Sequence, residues 1–319
     1  MKIVAFEVRA DEQAEFARQA KLPDIELELR SDALSAENLE VCNGVDAVLI
    51  LGRMHYDEQL LAAIKARGVN CLVTRSIGMD HIDLDAAQRL GIAVSNISYA
   101  PDSVADFTIM LLLIALRKYK PALYRQNVND YSLAGLQGRT LSSLTVGVIG
   151  AGRIGRAVLE RLSGFGCKLL AYSPSGVRDV PAGVQAASLE DLLAQSDVVS
   201  FHVPLTSETQ GMVDADFIAR MRDGVVLVNT ARGELMDVPS LIEGIETGKI
   251  GALAMDVFTN EGSIYHHSLV NDIVANRDMA YLRQFPNTVL TQHMAFYTEQ
   301  AVGEMVSHAI EATRRLCAE

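Results

Sequence analysis

Residues 145–155 read TVGVIGAGRIG, with glycines at 150, 152 and 155. That spacing suits the phosphates of a nucleotide. Gly150 can adopt the dihedrals of a sharp turn, Gly152 lets the backbone approach a pyrophosphate, and Gly155 permits a helix to pack tightly on its strand. The helix would begin at Arg153 and Ile154, where N–H groups without intrahelical partners attract anions. A second group of residues could do acid–base or ion-pairing chemistry. Arg232 follows the run VVLVNT, Asp256 ends ALAMD, Glu261 lies just beyond, and His293 closes TVLTQ. In an open parallel sheet the ligand crevice lies at the C-terminal strand ends. Each residue taken alone has an ordinary structural explanation, but their convergence beside a dinucleotide turn argues for a joint role. His266 and His267 are adjacent, so their side chains diverge, and no further Cys or His supplies metal-ligand spacing. No metal is expected. A nucleophile elbow of the GxSxG type is absent. His202 ends VVSFHV; beside it Val203 and Pro204 could line the cofactor through backbone groups, and a structural role for His202 is an equal alternative.

The elements that must position these groups alternate between strand-like and helical patterns, as in parallel sheets covered by helices. One series holds residues 2–6, 45–51, 71–75 and 93–96. The other holds 145–150, 168–172, 198–203, 225–230, 252–257 and 289–293. Four strands followed by six predict an α/β chain of two doubly wound parallel-sheet domains: a Rossmann dinucleotide-binding domain and a smaller, flavodoxin-like substrate domain. The boundaries expected are 1–98, completed by 297–319, for the substrate domain and 99–296 for the Rossmann domain. Val146, Val148 and Ile149 precede the glycine turn, and Ile154, Val158, Leu159 and Leu162 follow it at helical spacing. The stretch 104–118, entered from Asp102, is apolar nearly all round and reads as a buried helix joining the two domains. Residues 298–317 read as another helix that crosses back to the first unit. The long mixed segment 259–287 has the length of a functional loop.

The chain has 319 residues, 49 % of them hydrophobic and 21 % charged, enough for two sizeable cores. A net charge of −12 argues against nucleic acid, whose binding rests on Lys and Arg neutralising phosphates. A small ligand is expected instead. No apolar run approaches the ~20 residues of a membrane span, and the first ten residues lack the order of a secretion signal. Cysteines 42, 71, 167 and 317 are scattered and form no CxxC, which reads as buried free thiols in a reducing cytoplasm.

Together these residues resemble the D-isomer-specific 2-hydroxyacid dehydrogenases, over essentially the whole chain. The resemblance is carried by GAGRIG at 150–155, HVPLTSET at 202–209, NTARGELMD at 229–237, AMDVF at 254–258 with Glu261, and TQHMAFYT at 291–298. RSIGMDHIDLDAA at 75–87 and NISYAPDSVADFT at 96–108 add to it. The long insert before His293 and the AFYT after it are most similar to the fermentative and vancomycin-resistance D-lactate dehydrogenases. The resemblance implies hydride transfer between NAD(H) or NADP(H) and a small 2-oxo or 2-hydroxy acid, pyruvate and D-lactate leading, in a cytoplasmic homodimer.

Site roles follow from the same resemblance. Arg232 would clamp the substrate carboxylate and keto oxygen, a task for a planar fork that stays charged. His293 would give and take the carbonyl proton, and Glu261 would orient its ring and favour the charged form. Asp256, Thr230 and Ala231 would adjoin the cofactor, Asp256 at the nicotinamide. Ile77 and Gly78 would hold the substrate carboxylate through peptide groups, with Tyr99 and Phe296 near the substrate and closure of a cleft excluding water. Two rival readings stand beside this one. A branched or aromatic 2-oxo acid would be chosen by pocket volume near Leu51, Met79, Tyr99 and Phe296. A dinucleotide-sensing protein without turnover is the other, and joint retention of Arg232, Glu261 and His293 counts against it.

One position departs from the pattern. The acid that bonds the adenosine ribose in NAD enzymes is expected about 20 residues past the glycine turn. Here KLLAY runs into Ser173, Pro174 and Ser175, with no carboxylate before Asp179. Ser173, Ser175 and Arg178 could instead receive a 2′-phosphate, or serine could simply replace the acid; NAD and NADP both stay open.

Overall fold

A computed structural model describes residues 1–52 and 54–318. The chain forms two compact units, Met1–Ala100 with Tyr297–Glu319, and Pro101–Phe296. Among the described residues, no helix is long and apolar enough to cross a membrane.

The first unit is built on five parallel strands: β1 (Lys2–Ala5), β2 (Glu26–Leu29), β3 (Ala47–Ile50), β4 (Cys71–Thr74) and β5 (Ala93–Ser95), ordered β2-β1-β3-β4-β5. That is the flavodoxin-like order. The helix Glu299–Leu316 belongs to this unit and packs on β4 and β5. Thr298 caps it by accepting the Ala301 N–H, and Ala301, Val302, Met305, Val306, Ala309 and Ile310 form its buried face at helical spacing. Within the unit, Arg75 and Glu12 form a fully buried ion pair at 2.9 Å. Arg75 also donates to the Phe6 carbonyl at 2.9 Å, and Glu12 accepts the Arg9 N–H at 2.9 Å. These bonds give the buried charges partners and anchor the loop after β4.

The second unit holds seven parallel strands: β6 (Thr145–Ile149), β7 (Lys168–Tyr172), β8 (Val184–Ala186), β9 (Val198–Phe201), β10 (Val225–Asn229), β11 (Ile250–Met255) and β12 (Thr288–Leu290). Their order, β12-β11-β10-β9-β6-β7-β8, is the Rossmann arrangement with one strand added at the edge. Its central strands are buried on both faces. Val146 and Val148 of β6, with Val226 and Val228 of β10, face one core; Ile149, Val225 and Leu227 face the other. The first core is closed by the helices Asp102–Leu116 and Arg153–Ser163.

Two strands, β2 and β8, escape the sequence reading. Both are edge strands paired on one side only, and their residues are mostly half-buried or exposed, so they lack the continuous apolar run of a central parallel strand. The sheets therefore hold five and seven strands rather than four and six. The long helix begins at Asp102 as expected but is not buried all round: Asp102 and Asp106 are exposed and pair with Arg161. Within residues 259–287 a helix forms over Arg277–Gln284, capped by Asn276. The cysteines are also less uniform than their spacing suggests. Cys42 and Cys71 are buried, Cys167 is half-buried, and Cys317 is exposed and touches Cys71.

Candidate active site

The glycine turn joins β6 to the helix Arg153–Ser163, and each glycine has a distinct reason to be there. Gly150 has φ +99°, and a Cβ on it would lie 2.6 Å from the His202 carbonyl carbon. Its strand end is thus pressed against the end of β9, where the strand order reverses. At Gly155 a Cβ would fall 1.9 Å from the Gly150 oxygen, so no other residue fits between turn and helix. A Cβ on Gly152 would meet nothing within 4 Å. Gly152 is the helix N-cap and has no side chain to satisfy the first N–H groups. Open space over the first turn of an 11-residue helix, whose leading N–H groups have no intrahelical acceptor, fits a pyrophosphate. Arg153 and Ile154 open that helix.

Ser173 directly follows β7, the strand next to β6. Its hydroxyl lies 3.2 Å from that of Ser175, and its carbonyl accepts the Gly176 N–H. Arg178 is exposed, while Asp179 pairs with Arg156 at 3.2 Å. The nearest downstream carboxylate is therefore engaged by the glycine-turn helix. His202, after β9, bonds the Ser200 hydroxyl through Nε2 at 2.8 Å, and desolvation lowers its pKa to about 4. It is neutral at physiological pH and has a structural partner. Val203 is buried behind it, and the Pro204 carbonyl accepts the Thr209 hydroxyl at 2.7 Å.

Past β10, the buried Asn229 side chain shapes the loop. Its Oδ1 accepts the Ala231 N–H at 2.9 Å and its Nδ2 donates to the Arg232 carbonyl at 2.8 Å. Arg232 is held with extended backbone, and its guanidinium donates to the Ala231 carbonyl at 2.8 Å. The Thr230 hydroxyl is buried against that of Thr108 at 2.9 Å. Next to Arg232, a Cβ on Gly233 would lie 2.1 Å from the Phe258 carbonyl carbon. The loop carrying Arg232 is thereby packed on the turn carrying Glu261.

That turn holds the imidazole. Glu261 accepts the Phe258 N–H through Oε2 at 2.6 Å and bonds His293 Nδ1 through Oε1. His293 lies beyond β12, which ends at Leu290, and not at a strand terminus. Its φ of 52° is in the left-handed region, uncommon for a residue with a side chain. Three bonds from Asp256 hold the segment there. The Asp256 carbonyl accepts the His293 N–H at 2.7 Å, Oδ1 accepts the Met294 N–H at 3.0 Å, and Oδ2 accepts the Ala295 N–H at 2.7 Å. Thr291 adds its hydroxyl to Oδ1 at 2.5 Å. Asp256 is fully buried, and burial raises its pKa above the usual carboxylate value against the opposing pull of these bonds and of His293. Both of its oxygens thus accept bonds from the histidine segment.

Phe296 stands edge-on to His293, with ring centres 6.4 Å apart. His266 joins them: its ring centre is 6.3 Å from that of His293, and its Nε2 lies 3.2 Å from the His293 carbonyl. Sequence reasoning weighed His266 only as a metal ligand, because nothing local signals a contact across 27 residues. Among the described residues no cluster could hold a metal.

In the first unit, the Ile77 carbonyl accepts the Asn96 amide at 2.6 Å and the Gly78 carbonyl accepts the Ser76 hydroxyl at 2.8 Å. Among the described residues neither N–H group of this pair makes a hydrogen bond. Leu51 and Tyr99 are nearly buried, and Met79 is half-buried.

Residues 109–295 match the family model for the D-isomer specific 2-hydroxyacid dehydrogenase NAD binding domain. An aromatic 2-oxoacid reductase of Clostridium sporogenes is 38 % identical over 308 residues, covering 96 % of this chain and 93 % of that protein. A D-lactate dehydrogenase of Leuconostoc mesenteroides subsp. cremoris is 36 % identical, covering 98 % and 95 %. The structure of D-lactate dehydrogenase with NAD+ from Lactobacillus jensenii superposes with a TM-score of 0.85 at 29 % identity, covering 100 % of this chain and 97 % of that one.

Proposed function

Since this chain belongs to the D-isomer-specific 2-hydroxyacid dehydrogenases, NAD-dependent enzymes acting on 2-oxo acids, we propose that it reduces a small 2-oxo acid, pyruvate first, to the D-2-hydroxy acid. The bond from Glu261 to His293 Nδ1, with Arg232 on the adjoining loop, carries this reading. A carboxylate accepts, so Nδ1 bears a proton and Nε2 is the nitrogen left for the substrate. In reduction, Nε2–H donates to the carbonyl oxygen as negative charge develops on it, and in oxidation Nε2 takes the proton back. Arg232 engages the carboxylate and the same carbonyl oxygen through two N–H directions, fixing which face of the carbonyl is presented. Gly152 and the N–H groups of Arg153 and Ile154 would hold the pyrophosphate of a nicotinamide cofactor, which would supply the hydride. Ser173 is assigned to the adenosine ribose, Val203, Pro204, Thr230 and Ala231 to the cofactor's flank, and Ile77, Gly78, Tyr99 and Phe296 to the substrate. Asp256 is assigned to positioning His293.

A larger aromatic 2-oxo acid is the second reading, favoured by the Clostridium sporogenes relative. NADPH is proposed as an accepted donor beside NADH, since no carboxylate stands at Ser173 to repel a 2′-phosphate. A homodimer is supported by the exposed apolar side chains Leu123, Tyr124, Val128, Tyr131 and Leu133 in one short stretch. The free thiols support a reducing cytoplasm. Steady-state rates with NADH and NADPH across pyruvate, 2-oxoisocaproate and phenylpyruvate test the reading. A kcat/KM highest for pyruvate supports it, one highest for phenylpyruvate replaces the substrate, and no turnover by folded protein removes the proposal.

A further inference from the structure

Cys71 and Cys317 are separated by 246 positions in sequence, yet their sulfurs lie 3.4 Å apart. The fold creates this contact. Cys71 opens β4, and Cys317 is the C-cap of the helix Glu299–Leu316, which packs on that strand. Both line a cavity of about 680 Å³ in the first unit, along with Asp46, Asn70 and Arg314. Cys71 is only 5 % exposed, so the cavity is its route to solvent, whereas Cys317 is exposed. The other two cysteines differ. Cys42 is buried among apolar residues and pushed up to about 11 by burial, and Cys167 donates to the Leu162 carbonyl at 3.7 Å.

We propose that Cys71 and Cys317 are an oxidisable dithiol that reacts with hydrogen peroxide to form an intramolecular disulfide. In the first step a sulfur attacks one peroxide oxygen, the O–O bond breaks, and water leaves, giving a sulfenic acid. In the second, the neighbouring sulfur attacks that sulfenic sulfur, the S–O bond breaks, and the hydroxyl leaves as water with the thiol proton. Two thiols and one hydrogen peroxide thus become one disulfide and two waters, with two electrons passing from sulfur to oxygen.

The roles within the pair follow from the contact. Cys317 donates its S–H to the Cys71 sulfur, and burial together with Cys71 pushes Cys317 up to about 12. The Cys317 S–H thus points at the Cys71 sulfur, and Cys71, which lines the cavity, is assigned as the sulfur that attacks. Closing from 3.4 Å to a bond of about 2.0 Å needs a short movement. The exposed helix end at Cys317 provides it. The bond would tie the end of the C-terminal helix to the start of β4 and restrict unfolding of the first unit.

Mass mapping of the reduced full-length protein after hydrogen peroxide and thiol blocking tests this. The expected product has two of its four thiols blocked and two consumed, with one reductant-reversible peptide pair joining Cys71 to Cys317. Cys317→Ser, at an exposed position that tolerates the change, should abolish the link, while Cys42→Ser and Cys167→Ser should retain it. The oxidised wild type should also melt several degrees higher than the reduced form, and Cys317→Ser should show no such rise. Sulfinic acid without a linked peptide, or a link only between two chains, would overturn the proposal.

Discussion

Glu261 bonds His293 Nδ1 with one carboxylate oxygen and the Phe258 N–H with the other, so the group that orients the imidazole is itself fixed by backbone. Both partners are donors. An amide in place of the carboxylate has one acceptor and must turn its NH2 toward the other donor. Glu261→Gln should therefore lower kcat by about tenfold or more, a barrier change of about 1.4 kcal/mol. Steady-state kcat with the 2-oxo acid that the wild type uses best checks this, and an unchanged kcat would show that Glu261 does not act through the histidine.

Two glycines of the turn should respond differently to the same methyl group. Gly155→Ala places a Cβ 1.9 Å from the Gly150 oxygen and should prevent native packing of the helix on the sheet, lowering Tm and soluble yield. Gly152→Ala meets nothing within 4 Å and should fold normally, yet weaken NADH binding where the pyrophosphate must approach. Thermal melts and NADH titration separate the two. Equal NADH affinity in wild type and Gly152→Ala would move the pyrophosphate away from this turn.

The Rossmann sheet, its glycine turn and the strand ends bearing Arg232 and Asp256 are legible in the sequence because buried parallel strands are continuous apolar runs. The edge strands Glu26–Leu29 and Val184–Ala186 carry no such run and are missed. The histidine segment is misread for a related reason. Its conformation is set by Asp256, 37 positions earlier by sequence number, through hydrogen bonds to backbone N–H groups that leave no periodic trace. Likewise, the approach of His266 to His293 and of Cys317 to Cys71 depends on tertiary packing, which local spacing does not encode.

Asp256→Asn tests the positioning role. The amide can keep its oxygen toward Thr291 and Met294, but its NH2 then opposes the Ala295 N–H. A loss of roughly 1–3 kcal/mol is expected for the unsatisfied buried donor. The pH dependence has a definite sign. Because folding raises the Asp256 pKa, the wild type's stability relative to the Asn variant should decline as pH rises from about 3.9 through the raised value, as the buried carboxyl ionises. Urea unfolding of both proteins across that range measures it; a relative stability that grows with pH would contradict the burial argument.

Ser173→Asp should place a charge near any 2′-phosphate and give an unphosphorylated ribose two acceptors. NADPH use should fall relative to NADH, by an amount limited by screening where the phosphate meets solvent. The ratio of kcat/KM for the two cofactors in parent and variant is the readout. An unmoved ratio would mean that Ser173 does not adjoin the adenosine ribose.

His293→Ala most directly tests whether this imidazole delivers the carbonyl proton. NADH oxidation with pyruvate, or with whichever 2-oxo acid the wild type uses best, should be compared in the two proteins alongside a fluorescence titration of NADH. The expected result is a fall in kcat of at least ~10²-fold, as for loss of a general acid, with NADH affinity retained. A variant that turns over at the wild-type rate would contradict the assignment of His293.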